Sequence, residues 1–385
     1  MELRKVVTAG FAMFAMLFGA GNVVYPLLLG RDVGHQLWFG LAGFVLTAVL
    51  VPLIGLFSTM LSKGDYKHFL EPLGKIPAFG ITLVSLLLIG PFAIAPRCIT
   101  LSHAAIKMYV PSFTLLWFSI ACAVIIFICT IKDSVVVDLL GKYLGPLKLT
   151  LLLGVVARGL FAPVQFVQVG ITESQAFTKG LLDGYGTLDL LATIFLAMFI
   201  LSGLRKGMKP EEQADPNFII KWGLYAGIIG GLLLGIVYAG FCMVAGFYGQ
   251  QLAGVERADI FSTLAVLILG EQGGLLANIT VAISCLTTAI ALTVLFATYL
   301  HKDLLQGRID YVTSLLITIA ISTCVSNLGF SGIMSIVGPI VELIYPALCA
   351  FAVVNIMNKL WGFKYIKTPV VLVLLITAAM TYFPI

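Results

Sequence analysis

The sequence predicts an all-α polytopic membrane protein of about eleven transmembrane helices, built as a five-plus-five inverted repeat with discontinuous helices 1 and 6. Three observations carry this. The 385 residues are 60% hydrophobic and 11% charged, with a mean hydropathy of +1.07, whereas a soluble domain carries about 25% charged residues to hold its water. Apolar runs of span length, about 20 residues as a helix, recur from end to end. Two of those runs are interrupted by glycine-rich polar stretches at corresponding places.

The apolar runs fall at roughly 6–29, 36–61, 79–107, 113–131, 147–165, 174–204, 217–245, 274–300, 311–328, 333–357 and 368–385. Residues 258–270 are too short to span and read as a surface or re-entrant helix, while 64–77 and 132–146 carry charges and read as interfacial connections. The organisation is one transmembrane domain over 1–385, with repeats at about 6–165 and 174–357 and an extra helix at 368–385. The N-terminal run has the basic start of a signal peptide but is too long for its apolar region, so it reads as a retained first helix.

Basic residues fix the expected orientation. With the N-terminus inside, alternate loops collect Arg4 and Lys5; Lys63, Lys67 and Lys75; Lys132, Lys142 and Lys148; Arg205, Lys206, Lys209 and Lys221; Lys302 and Arg308; and Lys359, Lys364 and Lys367. Arg31, Arg97, Lys107, Arg158, Lys179 and Arg257 fall outside or within spans. This is the positive-inside bias of an inner-membrane protein with a cytoplasmic N-terminus. It explains the net charge of +5 without a nucleic-acid partner. The seven cysteines contain no C-x-x-C pair and read as small buried hydrophobes.

The breaks are the chemically informative places. Span 1 contains Gly19-Ala20-Gly21-Asn22 with Pro26 a turn later, and span 6 contains Asp183-Gly184-Tyr185-Gly186-Thr187. Glycine weakens a helix by about 1 kcal/mol relative to alanine. Non-helical backbone at membrane depth is tolerated only where it is buried in protein or lines a cavity. One such break alone would suggest close helix packing. Paired breaks in the first span of each half are the mark of a transporter site at the repeat interface. A half-helix N-terminus suits a carboxylate and a half-helix C-terminus suits a small cation, so an α-amino acid is the substrate expected. In span 8, Thr287 and Thr288 either bond back to their own turn or supply hard oxygen ligands to a cation.

The chain resembles the branched-chain amino acid:cation symporter family, bacterial leucine/isoleucine/valine carriers. The resemblance is carried by FGAGNVVYP (18–26), GPFAIAPR (90–97), GYGTLDLLA (184–192), CLTTAIAL (285–292) and SNLGFSGIMS (326–335) followed by Tyr345-Pro346. It implies import of an apolar amino acid in symport with Na⁺. It places the ion on the carbonyls of Ala15, Phe18 and Ser284 and the hydroxyls of Thr287 and Thr288. It sets the substrate carboxylate on the backbone of Ala20, Gly21 and Asn22, with Tyr185, Gly186 and Thr187 facing the amino group and side chain. Asn22 matches a position that ligates a second ion in some members of the wider superfamily. Family members usually have twelve spans, so a final helix is expected to be missing here.

His103 stands where an aromatic would be expected. It leaves H⁺ open as the coupling ion, although a packing histidine suits the position as well. Arg97, Asp189 and Glu342 lie in apolar spans, where a charge costs about 2.5–3.5 kcal/mol. Arg97 and Asp189 read as structural or gating charges, paired with each other or with backbone, and Pro96 as the kink of span 3. Glu342 reads as an interfacial residue. No cofactor beyond the coupling ion and no protein partner is expected. The scattered histidines His35, His68, His103 and His301, and the absence of H-E-x-x-H, G-x-S-x-G or Walker sequences, argue against an enzyme or an ATP-driven pump.

Overall fold

A computed structural model describes residues 3–131, 135–161, 166–206 and 215–382. Every described element in it is helical. Span 1 is two helices, α1 (Leu3–Leu17) and α2 (Ala20–Val33), separated at Phe18 and Gly19. Span 2 runs through α3 (Leu37–Val45), a π turn at Leu46–Leu50 and α4 (Val51–Leu61). The 64–77 connection holds a short helix, α5 (Tyr66–Leu70), capped by the Asp65 carboxylate, which accepts from the Lys67 N–H at 2.8 Å.

Span 3 is α6 (Lys75–Leu87) and α7 (Ile94–Lys107) across a π turn at Leu88–Phe92. Its bend is not at Pro96, as the sequence suggests, but at Gly90 (φ −89°, ψ −117°). Pro96 lies in the first turn of α7, where a missing N–H leaves no helical bond unmade. Next come α8 (Leu115–Thr130) and α9 (Val135–Gly159). The latter turns the expected 132–146 connection into helix from residue 135 onward. Lys132 and Lys209 lie outside the described residues, as do 162–165 and 383–385.

Span 6 is α10 (Glu173–Gly186) and α11 (Asp189–Lys206). The second half continues with α12 (Pro216–Phe247) and α13 (Ile260–Tyr299), then α14 (Tyr311–Ser326), α15 (Gly329–Trp361) and α16 (Lys367–Tyr382). Gly270 (φ 72°, ψ −178°) interrupts α13. The stretch expected as a short surface or re-entrant helix is therefore a separate helical piece ahead of span 8. Asp310 caps α14, its carboxylate accepting from the Thr313 hydroxyl and N–H at 2.5 and 3.3 Å. Those bonds hold its carboxyl below the ordinary carboxylate range.

Among the described residues, six segments are long and apolar enough to cross a membrane, and four shorter apolar helices accompany them. Large apolar side chains such as Trp117, Ile128, Leu232 and Leu375 point outward, as lipid requires. Packing inside is set by small residues, as expected where apolar burial gives no advantage over lipid. Helix α10 lies against α3, and a Cβ at Gly180 would stand 2.0 Å from the Gly40 carbonyl oxygen. The Thr47 hydroxyl donates across the same seam to the Leu181 carbonyl at 3.0 Å.

Helix α2 meets α12 equally closely, with Gly30 against the Cys242 carbonyl. The substitution Gly180→Ala is therefore expected to destabilise the protein by about 1–3 kcal/mol through overpacking against backbone. Gly154→Ala, inside α9 where an added Cβ meets nothing within 4 Å, should instead hold or raise the melting temperature, since alanine favours a helix over glycine by about 1 kcal/mol. Thermal melts of the two variants in detergent check this.

Candidate functional site

The two breaks face each other. A Cβ at Gly21, in the first turn of α2, would lie 3.1 Å from the Thr187 Cα and 3.4 Å from the Gly186 carbonyl oxygen. Each break sits one or two residues from the centre of its glycine motif. Helix α2 already includes Ala20, Gly21 and Asn22, and α10 continues through Gly186. The extended residue of span 1 is Gly19 (φ −112°, ψ −161°). In span 6 the chain turns at Leu188, which has φ of 63°.

Side chains complete each end. The Gly19 N–H donates to Asn22 Oδ1 at 2.8 Å, while the first N–H groups of α2 beyond it have no carbonyl a turn behind them. In span 6, Thr187 is a cap. Its hydroxyl donates to the Gly184 carbonyl at 2.8 Å and accepts from the Asp189 N–H at 3.4 Å. The Leu190 N–H donates to the Tyr345 hydroxyl at 2.8 Å. The N-terminus of α11 is thus closed by side chains, whereas that of α2 abuts the opposite break.

Arg97 and Asp189 do not pair with each other. The Asp189 carboxylate, 1% exposed, accepts from Asn22 Nδ2 at 2.9 and 2.8 Å and from the Tyr238 hydroxyl at 2.9 Å. Asn22 Nδ2 also reaches the Tyr238 oxygen. This buried triad ties span 1 to spans 6 and 7, and it uses Asn22 as a strut between the two breaks.

Arg97, fully buried, donates from Nη1 to the Gly186 carbonyl at 2.7 Å and lies 6.0 Å from the centre of the Phe330 ring. Among the described residues, its Nε and Nη2 have no hydrogen-bond partner, and neither has the Tyr25 hydroxyl. A buried guanidinium with idle donors is costly unless something else binds there. Tyr25, Tyr185, Gly186 and Met334 form the floor of a cavity of 530 Å³, whose mouth includes Gln175, Arg257 and Glu342. Tyr185 stacks on Tyr345 with ring centres 5.0 Å apart. Lys179 stands in the cavity wall, bridging Asp32 at 3.2 Å and Asp183 at 3.0 Å. Glu342 is exposed at the mouth, in keeping with an interfacial residue. His103 is a packing residue, with Nε2 2.8 Å from the Phe113 carbonyl oxygen and its ring 5.4 Å from that of Phe118.

The expected ion ligands also converge, but on a side chain. Lys148 is 4% exposed and belongs to α9, not to a loop. Its Nζ donates to the Ala15 and Phe18 carbonyls at 3.2 and 3.1 Å and to the Ser284 hydroxyl at 2.9 Å. The Thr287 and Thr288 hydroxyls both turn back onto the Ser284 carbonyl, at 2.8 and 3.1 Å. By sequence Lys148 groups with Lys132 and Lys142 as a basic loop residue, and the structure corrects this. The available signal was the apolar run LKLTLLLGVV around it.

Residues 2–383 match the family described as branched-chain amino acid transport protein. The chain is 30% identical over 377 residues to the branched-chain amino acid permease BraB of Bacillus subtilis, covering 94% of this chain and 82% of that one. It is 28% identical over 378 residues to the branched-chain amino acid transport system 3 carrier protein of Pseudomonas aeruginosa, covering 96% of this chain and 85% of the relative. Among solved structures, the inward-facing conformation of Mhp1 superposes with a TM-score of 0.64 at 11% identity, over 97% of this chain and 90% of that one. That likeness shows the discontinuous-helix transporter fold. The chain is a multi-pass membrane protein and belongs to the branched-chain amino acid transport protein family.

Proposed function

We propose that this protein is a secondary active transporter that imports a branched-chain or other apolar amino acid across a bacterial inner membrane, its N-terminus cytoplasmic, driven by a cation gradient. The observation that carries the reading is the buried Arg97 with two idle donors, bonded to the carbonyl of Gly186, which lines the cavity where the two helix breaks meet. The N-terminus of α2 and the idle donors of Arg97 both favour an anion, so a carboxylate is the group expected to bind them. Tyr25, Tyr185 and Met334 offer apolar surface to an aliphatic side chain. The α-ammonium group has the backbone carbonyls at the end of α10. Leucine, isoleucine, valine and methionine all fit this description, because an apolar pocket separates substrates differing by one methylene only about 10–200-fold.

The chain's relatives are named permeases and carriers, which favours transport over an intramembrane enzyme. Transport proceeds by rocking of one helix bundle against the rest around the site. Of the two coupling ions that the sequence leaves open, the position of Lys148 weighs against Na⁺ and so favours H⁺.

Uptake of labelled leucine into proteoliposomes, with H⁺ and Na⁺ gradients imposed separately, tests the reading. Accumulation is expected under the H⁺ gradient, and uptake indifferent to both gradients would exclude symport. Gly186→Ala is expected to reduce uptake at least tenfold, because a Cβ there would stand 2.3 Å from the Tyr25 ring and push it into the cavity. The same assay checks that variant.

A further inference from the structure

We infer that the ammonium group of Lys148 is a built-in cation that takes the place of a sodium ion, so that the carrier neither binds nor needs Na⁺ at this site. The inference rests on the transporter reading for its meaning. Its physical basis is local.

Lys148 Nζ has three N–H donors, and three oxygens accept them: the Ala15 carbonyl at 3.2 Å, the Phe18 carbonyl at 3.1 Å and the Ser284 hydroxyl at 2.9 Å. Two of these are carbonyls released by the end of α1, where the helix dipole presents its negative pole. The rings of Phe14 and Phe18 stand 5.7 and 5.0 Å from Nζ, within cation–π range. Among the described residues, the titratable groups that act on it are the thiols of Cys98 and Cys285, and no carboxylate among them supplies the counter-charge. The carbonyl dipoles and aromatic faces do.

These are oxygens that a small hard cation would need, and each of the three already accepts from the ammonium. The hydroxyls of Thr287 and Thr288 are both bonded to the Ser284 carbonyl, so that oxygen is occupied as well. A Na⁺ placed among the same oxygens would sit against an ammonium with no water between them, and like charges at contact in a dry site repel strongly. The residues present therefore do not fit Na⁺.

What the ion would do mechanically, the side chain does by tether. Lys148 on α9 reaches both the end of α1 and Ser284 on α13, and so links the broken span to two unbroken ones. Because the cation is covalently held, its occupancy is independent of the sodium concentration on either side of the membrane.

The test uses the full chain purified in detergent and measures melting temperature in NaCl and in choline chloride at equal ionic strength. A bound ion stabilises the native state by mass action, so a wild-type protein that Na⁺ does not touch should melt at the same temperature in both salts. Lys148→Ala vacates the three acceptors and should melt higher in NaCl than in choline chloride. Lys148→Met, which keeps the bulk and removes the charge, should behave as the wild type in this comparison while losing at least tenfold in leucine uptake.

A sodium-specific rise in the wild-type melting temperature overturns the inference. So does a Lys148→Met protein that transports leucine at the wild-type rate. Should the wild type transport no amino acid at all, the substrate reading fails, and the wild-type melts still decide whether this site takes sodium.

Discussion

Asp189→Ala is expected to abolish amino-acid uptake and to lower stability by about 2–6 kcal/mol, as two buried donors lose the acceptor they share. The carboxylate is the acceptor for both Asn22 Nδ2 and the Tyr238 hydroxyl. Deleting it leaves the Tyr238 hydroxyl without its acceptor and Asn22 Nδ2 with only the Tyr238 oxygen, at about 1–3 kcal/mol for each such loss. The effect on transport should exceed the effect on folding. Asn22 also caps the Gly19 N–H through Oδ1, so a rotated Asn22 would loosen the start of α2 where the substrate carboxylate is held. Asp189→Asn separates the two effects. One oxygen can still accept from Tyr238, but an amide would face the Asn22 amide, donor against donor. That variant should fold with a melting temperature between those of wild type and Asp189→Ala, and still transport poorly. Thermal melts paired with proteoliposome uptake measure both quantities on the same preparations.

Arg97→Met is expected to raise the KM for leucine roughly tenfold to 100-fold, since a hydrogen bond to a charged group contributes about 1.5–3 kcal/mol. Methionine retains the bulk next to Phe330 and Met334 but leaves the Gly186 carbonyl without its 2.7 Å donor, and it removes the idle donors Nε and Nη2. Arg97→Lys should recover part of the affinity, because a point charge attracts a carboxylate but cannot serve it and the Gly186 carbonyl together as a planar fork does. If Arg97 were only a packing group, the two variants would show the same KM. Initial-rate uptake over a range of leucine concentrations distinguishes them.

Much of the fold was legible because lipid enforces simple rules. Span length, the polar breaks at Gly19–Asn22 and Asp183–Thr187, and the short helix before Gly270 each follow from residues that cannot sit as smooth helix in hydrocarbon. The exact break points were less legible. Asn22 caps a helix that starts at Ala20, and Thr187 caps one that starts at Asp189, so the breaks fall at residues 18–19 and 187–188, at the edges of the glycine motifs and not in their middle. The bend of span 3 was placed at Pro96 because proline breaks helices, yet in the first turn it is harmless, and Gly90 with Pro91 does the bending.

Partner assignments across the bundle were not legible at all. Arg97 and Asp189 lie 92 positions apart in sequence, and nothing along the chain tells that one takes the Gly186 carbonyl and the other takes Asn22 and Tyr238. Lys148 shows the same limit from the other side. Basic residues near span ends belong to loops often enough that a lysine one helical turn deeper was counted with them. Only the meeting of α9 with α1 and α13 reveals that its ammonium ends among the oxygens expected to hold an ion.

The central claim is that an amino acid lies between the two breaks, held by bare peptide groups and Arg97. The most direct measurement is an experimental structure of the protein with leucine bound. The expected density has its carboxylate at hydrogen-bond distance, about 3 Å, from the backbone N–H groups of Ala20 and Gly21 and from Arg97, with the isobutyl group against Tyr25 and Tyr185. Leucine bound elsewhere, or helix running unbroken through 17–20 and 186–189, would contradict it.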